Sequence, residues 1–374
     1  MTTILIKDAL RQSVEAASGG LQTVLYTAKG QPSFMNIIEK FDMSAIDPAL
    51  SGTHPAFIIN GTEVSQILVG TYTASLINGE LLSLPNSQPS TPALAAAVTA
   101  ARAGGDGFHV MTNAEWSAVQ MQCYALGFNP KGNNYYGRDA TNSTQYGRRV
   151  DGASATGGIT TGNPVIYAGS GPVSFRHNNA YNGISDVNGN VYLQTPDVRL
   201  CGATGELHIF SNNGAAAKGT DLSISSAGWR AINAETGELM ALSYTGTPGV
   251  DFVSNLTNSV RILTASAVGT NYTLTVADGA PFSSMANAGA IPVSAKALTE
   301  LKRYGLYPLV NNAATLGNDK FAIPGAPSTA VTERLLRRQG SFVDGASAGV
   351  WMASFNNGMR DAVGASAFRV AYYA

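Results

Sequence analysis

Catalysis and metal binding need particular side chains brought close together, and this chain of 374 residues offers few of them. Its two cysteines, Cys123 and Cys201, stand 78 positions apart, and neither belongs to a set with zinc-ligand spacing. The ordinary role of such a thiol is that of a small buried hydrophobe. His54, His109, His177 and His208 lie in unrelated segments without paired spacing, which fits hydrogen-bonded structural residues rather than ligands. Asp186-Val187-Asn188-Gly189-Asn190 sets oxygen ligands at alternate positions, as a calcium loop does. Val191 stands at the sixth position, where an EF-hand requires glycine, and Val-Tyr-Leu follows as a strand would, so a turn is expected. Gly169-Ser170-Gly171 and Thr160–Gly162 lack the strand-then-helix setting of a phosphate loop. No catalytic residue, metal site or cofactor is assigned.

What remains is the chemistry of contact. Gln339–Ala374 carries six aromatics in 36 residues, Phe342, Trp351, Phe355, Phe368, Tyr372 and Tyr373, about twice the whole-chain share of 8%. Mixed with Ser, Gly and Asn, they resemble a paratope, in which rigid rings supply area and small polar groups adapt. Phe368, Tyr372 and Tyr373 alternate along a terminal strand and are expected in the core. Arg334, Arg337 and Arg338 could attract an acidic receptor, but anchoring the segment by hydrogen bonds is the simpler role. The net charge of −1, from 23 basic and 24 acidic residues, excludes the electrostatic footprint of a nucleic-acid binder and a polybasic membrane anchor. The longest apolar stretch, Ala93–Ala101, is broken by Thr99 and falls far short of the ~20 residues of a membrane span. The N-terminus carries acidic residues and no signal-peptide core, so synthesis in a cytoplasm without membrane insertion is expected.

Such residues need elements to hold them. Length alone suggests two or three folded units, and charged residues at 13% beside 44% hydrophobic argue against disorder. An amphipathic helix over Ile4–Ala17, a Gly-Gly break and an apolar stretch near Phe34–Phe41 make residues 1–45 read as an arm. Ala56–Ile59 and Gln66–Tyr72 read as a hairpin about Asn60-Gly61. Ala93–Ala103 favours helix, ended by Gly104-Gly105. Thr112-Asn113-Ala114-Glu115 is a capping box, with Trp116, Val119, Cys123 and Leu126 at helical spacing and Gly127 as the stop, predicting a helix over Asn113–Leu126. Asn129–Asn182 is rich in Gly, Asn, Ser and Thr but carries Tyr135, Tyr136, Tyr146 and Phe175, too many rings for a flexible linker. It is expected to be a long ordered loop tied by side-chain hydrogen bonds. Residues 205–300 read as a β-rich insertion on the main fold, and Leu301–Ala374 as a compact C-terminal unit.

Three segments in order resemble the formylglycine-generating-enzyme (sulfatase-modifying factor) branch of the C-type lectin fold. They are Gly107–Trp116; Gly183-Ile184-Ser185-Asp186-Val187-Asn188-Gly189-Asn190-Val191-Tyr192; and Arg337-Arg338-Gln339-Gly340-Ser341-Phe342 with Ala367-Phe368-Arg369, spanning about 260 residues. Within that branch the chain resembles the variable proteins of diversity-generating retroelements, especially phage receptor-binding tail proteins. Ser51–Ile58 with Gly70-Thr71-Tyr72, Leu301–Pro308, Gly345-Ala346-Ser347-Ala348-Gly349-Val350-Trp351 and Phe355-Asn356-Asn357 carry that likeness. Gln339 stands where the family has Gly, Phe342 where it has Trp, and Arg360–Ser366 where it has an Asn-rich stretch.

The resemblance implies an α+β, C-type lectin-like domain over residues 46–374, with 205–300 inserted and 334–374 presenting the ligand surface. Residues 1–45 would attach to a virion or mediate oligomerisation. It places Phe342, Val343, Asp344, Ser347, Trp351, Ser354, Arg360, Asp361 and Val363 at ligand-facing positions. The enzymes of the branch need cysteines near the C-terminus, and the last 170 residues contain none, so no enzyme is expected. The implied protein is a phage virion component, a homotrimer binding a host cell-surface glycan or protein. The alternative is a head or tail decoration protein packed against other virion structural proteins.

Overall fold

The computed structural model describes residues 2–247, 250, 253–264, 270–323, 333–356, 358 and 360–374. Its four longer helices are α1 (Thr2–Ser18), α2 (Leu94–Arg102), α3 (Asn113–Ala125) and α4 (Ala295–Arg303). Two larger, mainly antiparallel sheets stand with them, so the architecture is α+β. The first runs in the order Gln22–Tyr26, Pro32–Glu39, Gln66–Gly70, Val370–Tyr372, Phe108–Val110. The second runs Leu239–Ala241, Trp229–Ile232, Leu207–Phe210, Leu193–Cys201, Glu333–Gln339, Gly349–Ser354, Phe321–Ala322, and only its last pairing is parallel.

Helix α3 follows from its sequence. Thr112 and Glu115 close the expected capping box. The helix N-terminus is buried, so each of its free N–H groups needs a partner inside the protein. Asn113 N–H donates to Asp197 Oδ1 at 2.7 Å and Ala114 N–H to Asp197 Oδ2 at 3.4 Å. Glu115 N–H donates to Thr112 Oγ1, and Trp116 N–H to the Thr112 carbonyl. Burial pushes the Asp197 carboxyl up to about 7, against the pull of those two N–H donors. Further along, the Trp116 indole and the Gln120 amide both donate to the Val350 carbonyl of the second sheet, at 3.0 and 2.9 Å. One hydrophobic core runs from Ile38 and Val69 in the first sheet through Trp116 and Val119 to Leu193, Leu336 and Val350 in the second.

That shared core corrects the expected domain boundaries. The arm does not end at residue 45: Gln22–Tyr26 pairs with Pro32–Glu39, which pairs in turn with Gln66–Gly70 in the first sheet, and only α1 stands before them. The 205–300 segment is not simply laid on the fold, because Leu207–Phe210, Trp229–Ile232 and Leu239–Ala241 continue the second sheet. Nor is Leu301–Ala374 a unit of its own, since its strands enter both sheets. The Asn60-Gly61 turn forms with both residues left-handed, but it joins Ile58–Ile59 to Thr62–Glu63. Gln66–Gly70 pairs instead with Pro32–Glu39 and Val370–Tyr372, burying Ile67, Leu68 and Val69, which a short isolated hairpin would leave exposed.

His109 holds the start of α3 to the first sheet. Its Nδ1 lies 2.8 Å from the Gly107 carbonyl and its Nε2 2.7 Å from Glu115 Oε1, so both nitrogens meet acceptors. Burial opposes the charge, but the Glu115 carboxylate outweighs it and raises the histidine pKa. Stability from this pair is full below the unfolded value of 6.5 and is lost as pH rises through the raised folded value. Urea unfolding of wild type and His109→Gln across pH should therefore show a difference that shrinks as the solution turns alkaline; a constant difference would mean the imidazole is neutral in the fold.

Candidate functional site

The expected site residues fall on one strand and two loops, and the fold treats them differently. Glu333–Gln339 runs in the middle of the second sheet, its register shifting between Arg338 and Gln339, where Gln339 and Gly340 are both left-handed. That bend turns Ser341–Ser347 out of the sheet. Arg338 is fully buried behind it and donates to Asn113 Oδ1 from two nitrogens, at 3.0 and 2.7 Å, and to the Gly305 carbonyl. Burial pulls its pKa down to about 9, leaving it charged at neutral pH.

The 341–347 loop is pinned by a second loop. The long Asn129–Asn182 segment is ordered as expected, and its asparagines do the tying. Asn133 Nδ2 reaches the Pro164 carbonyl and Asn190 Oδ1, and Asn133 Oδ1 accepts from Gly137 N–H. Arg149, fully buried, forks onto Asp151 at 3.0 and 2.7 Å and caps the carbonyls of Tyr136, Ile159 and Thr161. The Arg149 hydrogen bonds draw the Asp151 carboxyl down to about 2. Gly132 is needed where this loop meets the next: a Cβ there would lie 1.8 Å from the Asn188 carbonyl oxygen. Asp186-Val187-Asn188-Gly189-Asn190 is a bent loop segment with Asp186, Gly189 and Asn190 left-handed, and its side chains bond to neighbouring loops. Asp186 accepts from Gly169 N–H, Asn188 donates to the Pro130 carbonyl, and Asn190 exchanges hydrogen bonds with Ile166.

Across this seam Phe342 N–H donates to the Asn190 carbonyl, Tyr136 N–H to Phe342, and Gly345 N–H to Asn134. The half-buried Phe342 ring sits 6.0 Å from Tyr136, which meets Tyr135 edge-on at 5.2 Å, and the Arg138 guanidinium lies over Tyr135 at 5.3 Å. Val343 at the loop tip is 54% exposed. Asp344 holds the loop base: it accepts from Ser341 N–H and hydroxyl, from the Tyr192 hydroxyl and from Lys320. Burial works against its charge, but those donors prevail and keep its pKa below the ordinary value. Ser347 is partly exposed beside it.

The remaining expected residues need correction. Trp351 is 2% exposed and Ser354 1%, so neither faces a ligand. The strand Gly349–Ser354 is covered on both faces. The Trp351 indole donates to Asn129 Oδ1 and meets Tyr124 edge-on, which makes it a core ring. Arg360 is bound inward: it forks onto Glu333 at 2.6 and 3.1 Å and donates to the Leu222 carbonyl, while Arg199 binds the same carboxylate. Asp361 and Val363 are exposed, Val363 at 75%, but their loop is anchored on Thr91 and Leu94 and shares none of the hydrogen bonds of the 341–347 loop. The site residues thus form two patches. Tyr135, Tyr136 and Arg138, to which the sequence reading assigned no role, belong to the first; the paired tyrosines in an Asn-rich stretch were their only signal. Asn357 lies outside the described residues.

Among the described residues no group of three or more His, Cys, Asp or Glu is placed to hold a metal ion, and no helix is long and apolar enough to cross a membrane. Cys123 and Cys201 are buried thiols that form no disulfide, and burial pushes the Cys123 thiol pKa up, away from reactivity. No family model matches the chain, and no curated protein matches it either.

Two outcomes follow from this geometry. Trp351→Ala should lower stability by about 3–5 kcal/mol, as for a buried aromatic removed from a core; an unaffected midpoint in chemical denaturation would mean the ring is not packed as described. Arg149→Lys keeps the charge but not the planar fork. It should speed amide exchange through residues 136–166 while leaving the amides of α3 protected, and unchanged exchange in that loop would show that Arg149 does not hold it.

Proposed function

We propose that this chain is a phage virion protein that adsorbs to a host cell-surface receptor through the Ser341–Ser347 surface. The observation that carries the reading is a rigid, partly exposed aromatic cluster, Phe342, Tyr136 and Tyr135, beside an exposed Val343. Pre-ordered rings and small polar neighbours lower the entropy lost on binding, which is how paratopes gain affinity. The mixed α+β fold is compatible with a C-type lectin-like scaffold of the formylglycine-generating-enzyme type, and the motif residues do what such a scaffold needs: Arg338, Gln339 and Arg369 all bind backbone or buried partners. Variation at the loop tip, as in diversity-generating systems, would then leave the fold intact.

In this reading the protein makes and breaks no bond. Weak single contacts gain from several copies, since later contacts become intramolecular and avidity rises by roughly 10²–10⁴. A homotrimer would supply such copies, and α1 is the element available to join the particle or neighbouring virion proteins. Binding of labelled protein to a panel of bacterial strains tests the reading, with Phe342→Ala/Val343→Asp as the loop variant and Asp361→Ala/Val363→Asp as the control for the second patch. Strain-selective binding that falls at least about tenfold in the loop variant alone is expected. No binding by the oligomeric wild type, or equal binding by the loop variant, would replace this reading with that of a decoration protein.

A further inference from the structure

A cavity of a different kind lies away from that surface and shares no residue with it. It is an open groove of about 550 Å³ between Pro32–Glu39, the C-terminal end of α3 and the 177–184 loop. This is within the range of small-ligand sites. Its walls are mainly apolar, with Ile37, Phe41, Ile46 and Leu126 among them. Exposed apolar side chains gather at its edge: Leu21 and Leu126 line it, and Tyr181, 85% exposed, adjoins the lining residue Asn182.

The polar groups in the groove are divided. Asn36, Asn178 and Asn182 are committed to one another and to the backbone: Asn36 donates to the Asn182 carbonyl, Asn178 to Asn182 Oδ1, and Asn182 to the Ser18 carbonyl. Two groups are not. His177 is 7% exposed and its Nδ1 accepts from Ile184 N–H, so its proton sits on Nε2, for which the described residues supply no partner. Burial and the charges of Arg369 and Arg176 keep this ring neutral, with a pKa of about 4. On the same lining the Gln122 carboxamide makes no hydrogen bond among the described residues, and its oxygen is buried. An unmet buried carbonyl costs free energy that a ligand donor would recover once the amide turns to meet it. The groove thus offers one neutral donor, one neutral acceptor, an aromatic ring and apolar walls. Its charges, Glu39 and Lys40, are exposed at the margin, and Lys40 is paired with Glu63.

We propose that this groove binds a neutral N-acylated sugar, whose amide carbonyl accepts from His177 Nε2–H, whose amide N–H donates to Gln122, and whose apolar ring face lies on Phe41. A secondary amide carries an acceptor and a donor on one rigid group, matching the two open partners, and its methyl suits the apolar wall. The open side of the groove leaves room for a second sugar unit toward Tyr181. This site does not rest on the receptor reading above and can stand or fall without it.

The test is ligand-observed NMR and calorimetric titration of the full chain with N-acetylglucosamine, with glucose as the analogue lacking the amide. The variants are Gln122→Leu, which removes the acceptor, and Ala125→Trp, which fills the groove from an exposed helix position. Saturable binding of N-acetylglucosamine is expected, at least about tenfold weaker for glucose and for each variant, while the 342–343 loop variant binds the sugar as wild type does. Three results would overturn the proposal: no binding up to tens of millimolar, equal binding of glucose, or unchanged binding by Ala125→Trp. A change of oligomer mass in Ala125→Trp without sugar binding would likewise overturn it, assigning the groove to a second copy of the chain.

Discussion

The N-terminus of helix α3 lies inside the protein, and that single placement dictates much of the remaining structure. Free N–H groups in an apolar interior cost more than an ordinary hydrogen bond returns. They are met here by Thr112 from the preceding turn and by Asp197 from the middle of the second sheet. The carboxylate of Glu115 is in turn held by Thr112 N–H, His109 and Asn213, which ties the first sheet and the 205–300 segment to the same point. Asn113 then serves as the seat for Arg338, bringing in the C-terminal strand. A local sequence motif therefore organises contacts among residues up to 225 positions apart.

Buried arginines extend that logic outward. Arg338 and Arg369 sit behind the C-terminal segment, Arg149 inside the long loop, and Arg199 beneath Arg360 and Glu333. A guanidinium presents several donors in a fixed plane, so one residue can hold several carbonyls of irregular backbone at once. That suits a chain in which residues 129–182 contain almost no regular pairing yet remain closely packed. The same role explains why Arg360 is drawn inward. Glu333 is buried between Arg199 and Arg360, and releasing either arginine would leave an incompletely paired buried charge.

An interior tied together in this way leaves only a few side chains outside its network. On one face these are Val343 and the outer edges of Phe342, Tyr136 and Tyr135, carried on loops whose backbone is fixed from below. On another they are His177 Nε2 and the Gln122 amide, set in an apolar groove. In both places these side chains stand on backbone that is held from below by buried side-chain hydrogen bonds.

Much of the local structure was legible in the chain. The capping box, the Ala-rich helix, the ordered Asn-rich loop and the left-handed Asn60-Gly61 turn all follow from residue types at short spacing, because caps and turns are satisfied by neighbours in sequence. The candidate site was legible only in part: Phe342, Val343, Asp344 and Ser347 lie together on one loop, whereas Trp351 and Ser354 point into the core. Aromatic content marks a segment as able to make contacts, but a ring that anchors a ligand and a ring that fills a core are the same residue type. Which one it becomes depends on what the second face of its strand meets. Likewise the N-terminal strands and the 205–300 strands read as separate pieces, since edge pairing leaves no mark in a strand's own sequence. Sequence alone thus determined the elements and their caps; strand order, the fate of each aromatic and the two open polar groups of the groove were decided by long-range packing, which local spacing does not encode.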